Sequence, residues 1–155
     1  MTVAPALFQA FLDDHRDDVY RFLVAAVGRE EADDCFQETF LSAMRAYPRL
    51  RHDSNLRAWV LTIAQRKALD SHRARSRRAL PVADVPERAA AEVNHHDDEL
   101  WREVRRLPGK QRAAVVLRFA SDLPHDEIGR VLGCSEEAAR RNVHEGVKRL
   151  RMELA

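Results

Sequence analysis

Cysteine, glycine and proline are all scarce in this chain. Cysteine occurs only at Cys35 and Cys134, with no CxxC pair and no Cys/His cluster. That excludes a disulfide framework and a structural zinc site, and Cys35 reads as a small core residue. Glycine occurs five times and proline six times in 155 residues, too few for collagen-like or low-complexity sequence, and the glycines are too scattered to cradle a phosphate. Neither HExxH nor GxSxG is present, so no active site is expected and the chain is not read as an enzyme. Aromatics make up only 6%. The longest apolar run, Phe22 to Val27, is far short of the ~20 residues that span a bilayer. The stretch before Asp13-Asp14 lacks the basic flank of a secretory signal. The expectation is a cytoplasmic protein with no membrane partner and no cofactor.

What is present is helix-forming: Ala, Leu, Arg and Glu dominate, and an all-α fold follows. The formal net charge of +1 conceals blocks of alternating sign. Residues 1–44 carry −6, 45–79 carry +8, 80–103 carry −5 and 104–155 carry +4. Two basic blocks set between acidic ones read as two polyanion-facing surfaces, and nucleic acid becomes the leading partner.

Apolar periodicity divides the chain further. Phe8, Phe11, Leu12, Val19, Phe22, Leu23 and Ala26 form one stripe that Gly28 can end. The spacing predicts a second helix with Glu30, Glu31, Asp33 and Asp34 crowding its start, where carboxylates suit the helix dipole, and Pro48 closing it. Its apolar positions are Ala32, Cys35, Phe36, Phe40, Ala43, Met44 and Tyr47. A third carries Leu56, Trp59, Val60, Ile63 and Ala64 and runs into Arg73, Arg75, Arg77 and Arg78. Periodicity fails over 79–94, where Pro81 and Pro86 fall among small and acidic residues, the composition of a flexible linker. The expected organisation is a helical domain over 1–78, the linker 79–94, and a second helical domain over 95–155.

In that second part, Asp97 to Leu107 predicts a helix with Leu100, Trp101, Val104 and Leu107, and Lys110 to Ala120 another with Ala114, Val115, Leu117 and Phe119. The short segment Pro124–Leu132, the turn Gly133-Cys134-Ser135 and a longer helix from Glu136 then have the layout of a helix-turn-helix. Ile128, Val131, Leu132, Ala139, Val143 and Leu150 would pack inside. Ser135 would cap the last helix, with Arg140, Arg141, Asn142, His144 and Lys148 at its polar positions. Arg pairs with guanine and Asn with adenine in the major groove, although a two-helix hairpin with a solvated charged face has the same spacing. His95-His96-Asp97-Asp98 offers metal-binding side chains, but neighbours at a helix start point in different directions, and no metal site is expected.

Taken together, these residues resemble the extracytoplasmic-function (ECF) class of bacterial RNA polymerase sigma factors, in the sigma-70 family. Asp34-Cys35-Phe36-Gln37-Glu38-Thr39-Phe40 is similar to the family's D-x-x-Q-E-x-F, and Leu56-Arg57-Ala58-Trp59-Val60-Leu61-Thr62-Ile63-Ala64 to its F-x-x-W-L-x-x-I-A. Asp70 and Arg73 fit D-x-x-R, and Glu127 to Ser135 resembles E-I-A-x-x-L-G-x-S. The chain departs from the pattern at Gln65-Arg66, at Ala138-Ala139-Arg140-Arg141 and at Glu145-Gly146. Gly146 is expected to weaken its helix by ~1 kcal/mol relative to Ala and, with Glu145, to lie towards the rim of a DNA contact.

The resemblance implies a factor that binds core RNA polymerase and directs promoter recognition and DNA melting. Its partners would be the polymerase and promoter DNA, with an anti-sigma protein as a third candidate. Asp34, Gln37, Glu38, Leu41 and Arg45 would grip the polymerase. Arg51, His52, Asp53, Ser54, Asn55, Arg66 and Arg73 would meet the minus-ten element. Ser135, Glu137, Arg140, Arg141, His144 and Lys148 would meet the minus-thirty-five element through the helix-turn-helix. Two rivals share parts of the pattern: a helix-turn-helix regulator with an N-terminal dimerisation or sensing domain, and a helical adaptor without a DNA role.

Overall fold

The computed structural model describes residues 5–51, 55–78 and 95–155, with side chains from Leu7 onward and, in the last stretch, from Glu99. Helices α1 (Pro5–Val27), α2 (Arg29–Ala46) and α3 (Leu56–Arg78) form one group. Helices α4 (His95–Arg105), α5 (Gly109–Phe119), α6 (His125–Leu132) and α7 (Glu136–Glu153) form the other. A 3-10 turn, Tyr47–Arg49, follows α2, and the described residues contain no strand. The linker 79–94 and the loop residues His52, Asp53 and Ser54 lie outside the described residues.

A single residue joins α1 to α2. The amide of Gly28 donates to Val24 O (2.9 Å), its carbonyl accepts from the Ala32 amide (3.1 Å), and its φ of 86° lies in the left-handed region that favours glycine. The sharp reversal seats α2 beside α1. Phe8, Phe11, Phe40, Tyr47 and Trp59 then interlock with ring centroids 5.3–6.4 Å apart, within the range in which tilted and edge-on aromatic pairs attract. Trp59 is therefore part of the core, as its register with Leu56, Val60 and Ile63 predicts. Cys35 is buried too, and burial raises its thiol pKa, which keeps it inert.

In the second group the turn chemistry follows the sequence. Gly133 ends α6 at φ 69°, and the Cys134 amide donates to Gly129 O at 2.9 Å. Ser135 Oγ caps α7 by accepting from the Ala138 amide at 3.1 Å. Ile128, Val131, Ala139, Val143 and Leu150 are buried, and Leu132 packs against them.

In this second group three positions differ from expectation. Leu100 and Phe119 lie at the surface, Phe119 in the last turn of α5. Gly146 is buried: a Cβ there would come within 2.6 Å of Val115 Cγ2 and 3.5 Å of Gln111 Cβ. It faces α5 and not the rim, because the two helices cross there too closely for a side chain.

The two groups pack on each other. α3 meets α6, and α1 meets α4 and α5. Arg57 of α3 pairs with Asp18 of α1 (Nε–Oδ2 3.3 Å) and donates to the Ser121 carbonyl in the turn after α5. Asn55 Nδ2 reaches Glu127 Oε1 of α6 at 3.3 Å.

Nearby, His72 Nε2 lies 2.6 Å from Ala26 O, a distance at which the ring nitrogen donates. Burial lowers the pKa of His72, and Arg112, Arg75 and Arg105 lower it further against the opposing pull of the Ala26 bond. An unfolded imidazole titrates near 6.5, so below that pH the unfolded chain takes up more protons than the fold and stability falls. His15, also depressed by burial, contributes with the same sign. The melting temperature is expected to drop as pH falls below about 6.5. His72→Gln, which keeps an N–H donor for Ala26, should make that drop shallower; an unchanged pH profile in the variant would show that His72 does not carry it.

Candidate nucleic-acid and partner interface

Three exposed surfaces carry the residues singled out from the sequence. On α2, Asp34, Gln37, Glu38, Leu41 and Arg45 are all exposed, while Ala32, Cys35, Thr39, Phe40 and Ala43 turn inward. Thr39 is held inside because its hydroxyl donates to Cys35 O at 2.7 Å. Leu41 (48% exposed) is joined at the surface by Met44 (50%), one helical turn further on. Met44 belongs with the strip and not with the core. Its spacing from Phe40 fits the inward face and its spacing from Leu41 fits the outward one, so periodicity alone cannot choose. Tyr20 of α1 is also exposed and stacks edge-on with Phe36 of α2 at 6.0 Å, extending the apolar middle of this surface. An apolar centre rimmed by Asp34, Gln37, Glu38 and Arg45 is the make-up of a protein-binding patch.

The second surface is formed by α3 and the loop before it. Arg51, Asn55, Arg66 and Arg73 are exposed. Asn55 has a structural duty: its Oδ1 accepts from the Ala58 amide at 3.1 Å and caps α3. Arg66 and Arg73 are seven positions apart on a helix and so share a face; Arg77 continues it.

The third surface is α7, whose two stripes lie on opposite sides. Positions 139, 143, 146 and 150 are buried, whereas 137, 141, 144 and 148 are exposed with the same spacing. The outward stripe is Glu137, Arg141, His144 and Lys148. Arg140 is exposed beside it and ion-pairs with Glu136 at 3.2 Å, an exposed i,i+4 pair that contributes little stability and does not fix the guanidinium. Ser135 serves as the cap. The stripe projects from a helix-turn-helix and has the donors and acceptor that base edges need: Arg for guanine and Glu for the cytosine amino group.

Among the described residues no group of three His, Cys, Asp or Glu gathers to hold a metal, and the side chains of His95, His96, Asp97 and Asp98 lie outside the described ones. No helix among the described residues is long and apolar enough to cross a membrane.

Comparison with known proteins places family signatures on both groups of helices. The family model for sigma-70 region 2 matches residues 11–78, and that for sigma-70 region 4 matches residues 97–150. The chain is 33% identical over 158 aligned residues to the ECF RNA polymerase sigma factor SigD of Mycobacterium tuberculosis, with 92% of this chain and 74% of that protein covered. In fold it resembles the sigma factor RpoE of Bartonella quintana, solved with the anti-sigma factor NepR, at a TM-score of 0.78 and 22% identity, covering 95% of this chain and 96% of the other. CnrH, solved with the cytosolic domain of CnrY, matches at a TM-score of 0.76 and 20% identity, covering 97% and 89%.

Proposed function

Given that the chain belongs to the sigma-70 family, as an ECF sigma factor of transcription initiation, we propose that its three exposed surfaces divide the work of that role. The strip Asp34, Gln37, Glu38, Leu41 and Arg45, with Met44 and Tyr20, binds core RNA polymerase. Arg51 to Asn55 with Arg66 and Arg73 engage the minus-ten element, the arginines neutralising phosphates while the polar loop receives an unstacked base. The outward stripe of α7, with Arg140, engages the minus-thirty-five element. Residues 1–78 and 95–155 act as the two functional units, with 79–94 as the link between them. The protein does no bond-making chemistry, and the polymerase supplies it. An anti-sigma protein is a third partner, as in the fold-related complex of RpoE with NepR, and the cytoplasm, where polymerase and promoter meet, is its compartment.

The opposed stripes of α7 carry this reading, since they leave Glu137, Arg141, His144 and Lys148 with no part in the core. Transcription in vitro with core polymerase on a library of promoters tests it: runoff products that depend on the factor and share upstream and minus-ten sequences support it. Binding to DNA without core polymerase and without initiation would favour a plain helix-turn-helix regulator.

Within α7 the roles of the two arginines separate experimentally. Arg141→Ala is expected to relax the preference at one upstream base pair and to cost about 1–3 kcal/mol, the signature of a base-reading side chain. Arg140→Ala should weaken all sequences alike and lower the salt slope by about 1, as loss of a phosphate contact does. Selections from a randomised upstream element that keep the wild-type preference in both variants would show that neither arginine reads bases.

A further inference from the structure

The end of α1 is buried almost all round: Phe22, Leu23, Ala25, Ala26 and Val27 all lie in the core, although one face of a helix in a small domain normally meets water. The cause is that α1 has partners on both sides. Helices α2 and α3 cover it within its own group, and α4 and α5 cover it from the other. The buried residues of the two groups accordingly form one continuous cluster. Two polar links close the same contact where α3 begins. Arg57, held by Asp18 of α1, donates to the carbonyl of Ser121, and Asn55 donates to Glu127 of α6. We propose that this contact is an autoinhibitory latch, which keeps the free factor closed and withholds its minus-ten surface from DNA until core polymerase parts the two groups.

Asn55 is the residue on which the two states compete. Its Oδ1 caps α3 through the Ala58 amide and its Nδ2 serves Glu127, so both ends of the side-chain amide are engaged in the closed form. Glu127 sets a carboxylate oxygen where a phosphate or base oxygen would have to come, and the exposed Asp126 stands beside it. Nucleic acid approaching the start of α3 therefore meets like charge.

The latch rests on the assignment of Arg51 to Asn55 to the minus-ten element, and distance argues in the same direction. The two promoter elements lie about 25 base pairs apart, roughly 85 Å along the duplex. The longest helices, α1 and α3, have 23 residues each and so measure about 35 Å, and two groups of that size in contact reach across at most about 70 Å. The closed form cannot hold both elements at once.

A weak contact is enough to keep the factor closed, because two groups on one chain see each other at an effective concentration on the order of 1 mM. It is also easy to release. Polymerase opens it by binding the parted form better than the closed one, and the exposed strip on α2, which packs on α1 and α3, is accessible from the start.

The double variant Arg57→Ala with Glu127→Ala removes both polar links and takes away one charge of each sign, so net charge cannot explain a gain in DNA affinity. Small-angle scattering on the full chain is expected to give the wild type a radius of gyration near the roughly 15 Å of a compact chain of this length, and the variant a clearly larger one. Affinity for a labelled single-stranded minus-ten oligonucleotide, taken from a promoter that the wild type transcribes with core polymerase, should rise about tenfold in the variant. Circular dichroism checks that the helices persist. If Arg57→Ala unfolds the first group, Glu127→Ala alone decides, with the same two changes in smaller measure. An extended wild type, a variant that stays compact, or an opened variant that binds the oligonucleotide no more tightly overturns the latch. Should the wild type give no transcript with core polymerase, the functional assignment fails and the latch with it; a transcript together with unchanged oligonucleotide affinity removes the latch alone.

Discussion

Gln37→Ala combined with Glu38→Lys is expected to abolish capture of core RNA polymerase while leaving the helical circular dichroism and the melting temperature unchanged. Both side chains point outward from α2, so their loss removes nothing from the Phe11–Phe40–Trp59 core. At the interface, reversing Glu38 sets a positive charge where the partner surface must accommodate a carboxylate, and a like-charge or unpaired contact of this kind costs several kcal/mol. At about 1.4 kcal/mol per decade, affinity should fall a hundredfold or more. The apolar pair Leu41 and Met44 lies beside them and would be left buried against a mismatched rim. If the double variant still pulls down polymerase at wild-type affinity, α2 presents only a solvated face and the binding surface lies elsewhere on the molecule.

A second substitution sets local propensity against packing. In an isolated helix Gly146→Ala should stabilise by about 1 kcal/mol. In this fold the added methyl would come within 2.6 Å of Val115 Cγ2. Val115 is buried and β-branched, so its methyl cannot swing aside without leaving its rotamer. Gly146→Ala is therefore expected to lower stability by about 1–3 kcal/mol, the usual cost of overpacking. The loss should be partly recovered in the double variant with Val115→Ala, where room is restored; a double-mutant cycle in urea measures that coupling. A higher melting temperature for Gly146→Ala would show that α5 and α7 are not so closely apposed. If α7 tilts to relieve the contact, promoter binding should weaken along with stability.

Most of the fold is legible in the order of the residues because each helix announces itself by an apolar stripe and a punctuating residue: Gly28 between α1 and α2, Pro48 after α2, Gly133 and Ser135 around the turn. The same stripes place Asp34, Gln37, Glu38, Leu41 and Arg45 outside without any structure. Legibility fails where two faces of one helix meet. Met44 stands at helical spacing from both Phe40 inside and Leu41 outside, and Phe119 closes the α5 stripe just where the helix leaves the core. It fails again where a residue answers to a distant helix, as Gly146 does to Val115, because a close helix crossing has no local signature. The docking of α3 on α6, and with it the assembly of arginines around His72, is likewise a meeting of residues more than thirty positions apart, and no periodicity within a helix encodes it.

The separation of the two stripes on α7 also bears on how such a factor can change over time. Glu137, Arg141, His144 and Lys148 have no share in the core, and surface substitutions of this kind ordinarily shift stability by no more than about 0.5 kcal/mol. A lineage can therefore try new side chains at these positions without approaching the threshold below which the protein no longer folds. The opposite side has no such freedom, since Ala139, Val143, Gly146 and Leu150 must suit α5 and α6 together. With this stripe engaging the minus-thirty-five element as proposed, promoter preference would drift in single steps through intermediates that are all folded, while the scaffold that presents it stays under a separate and stricter constraint.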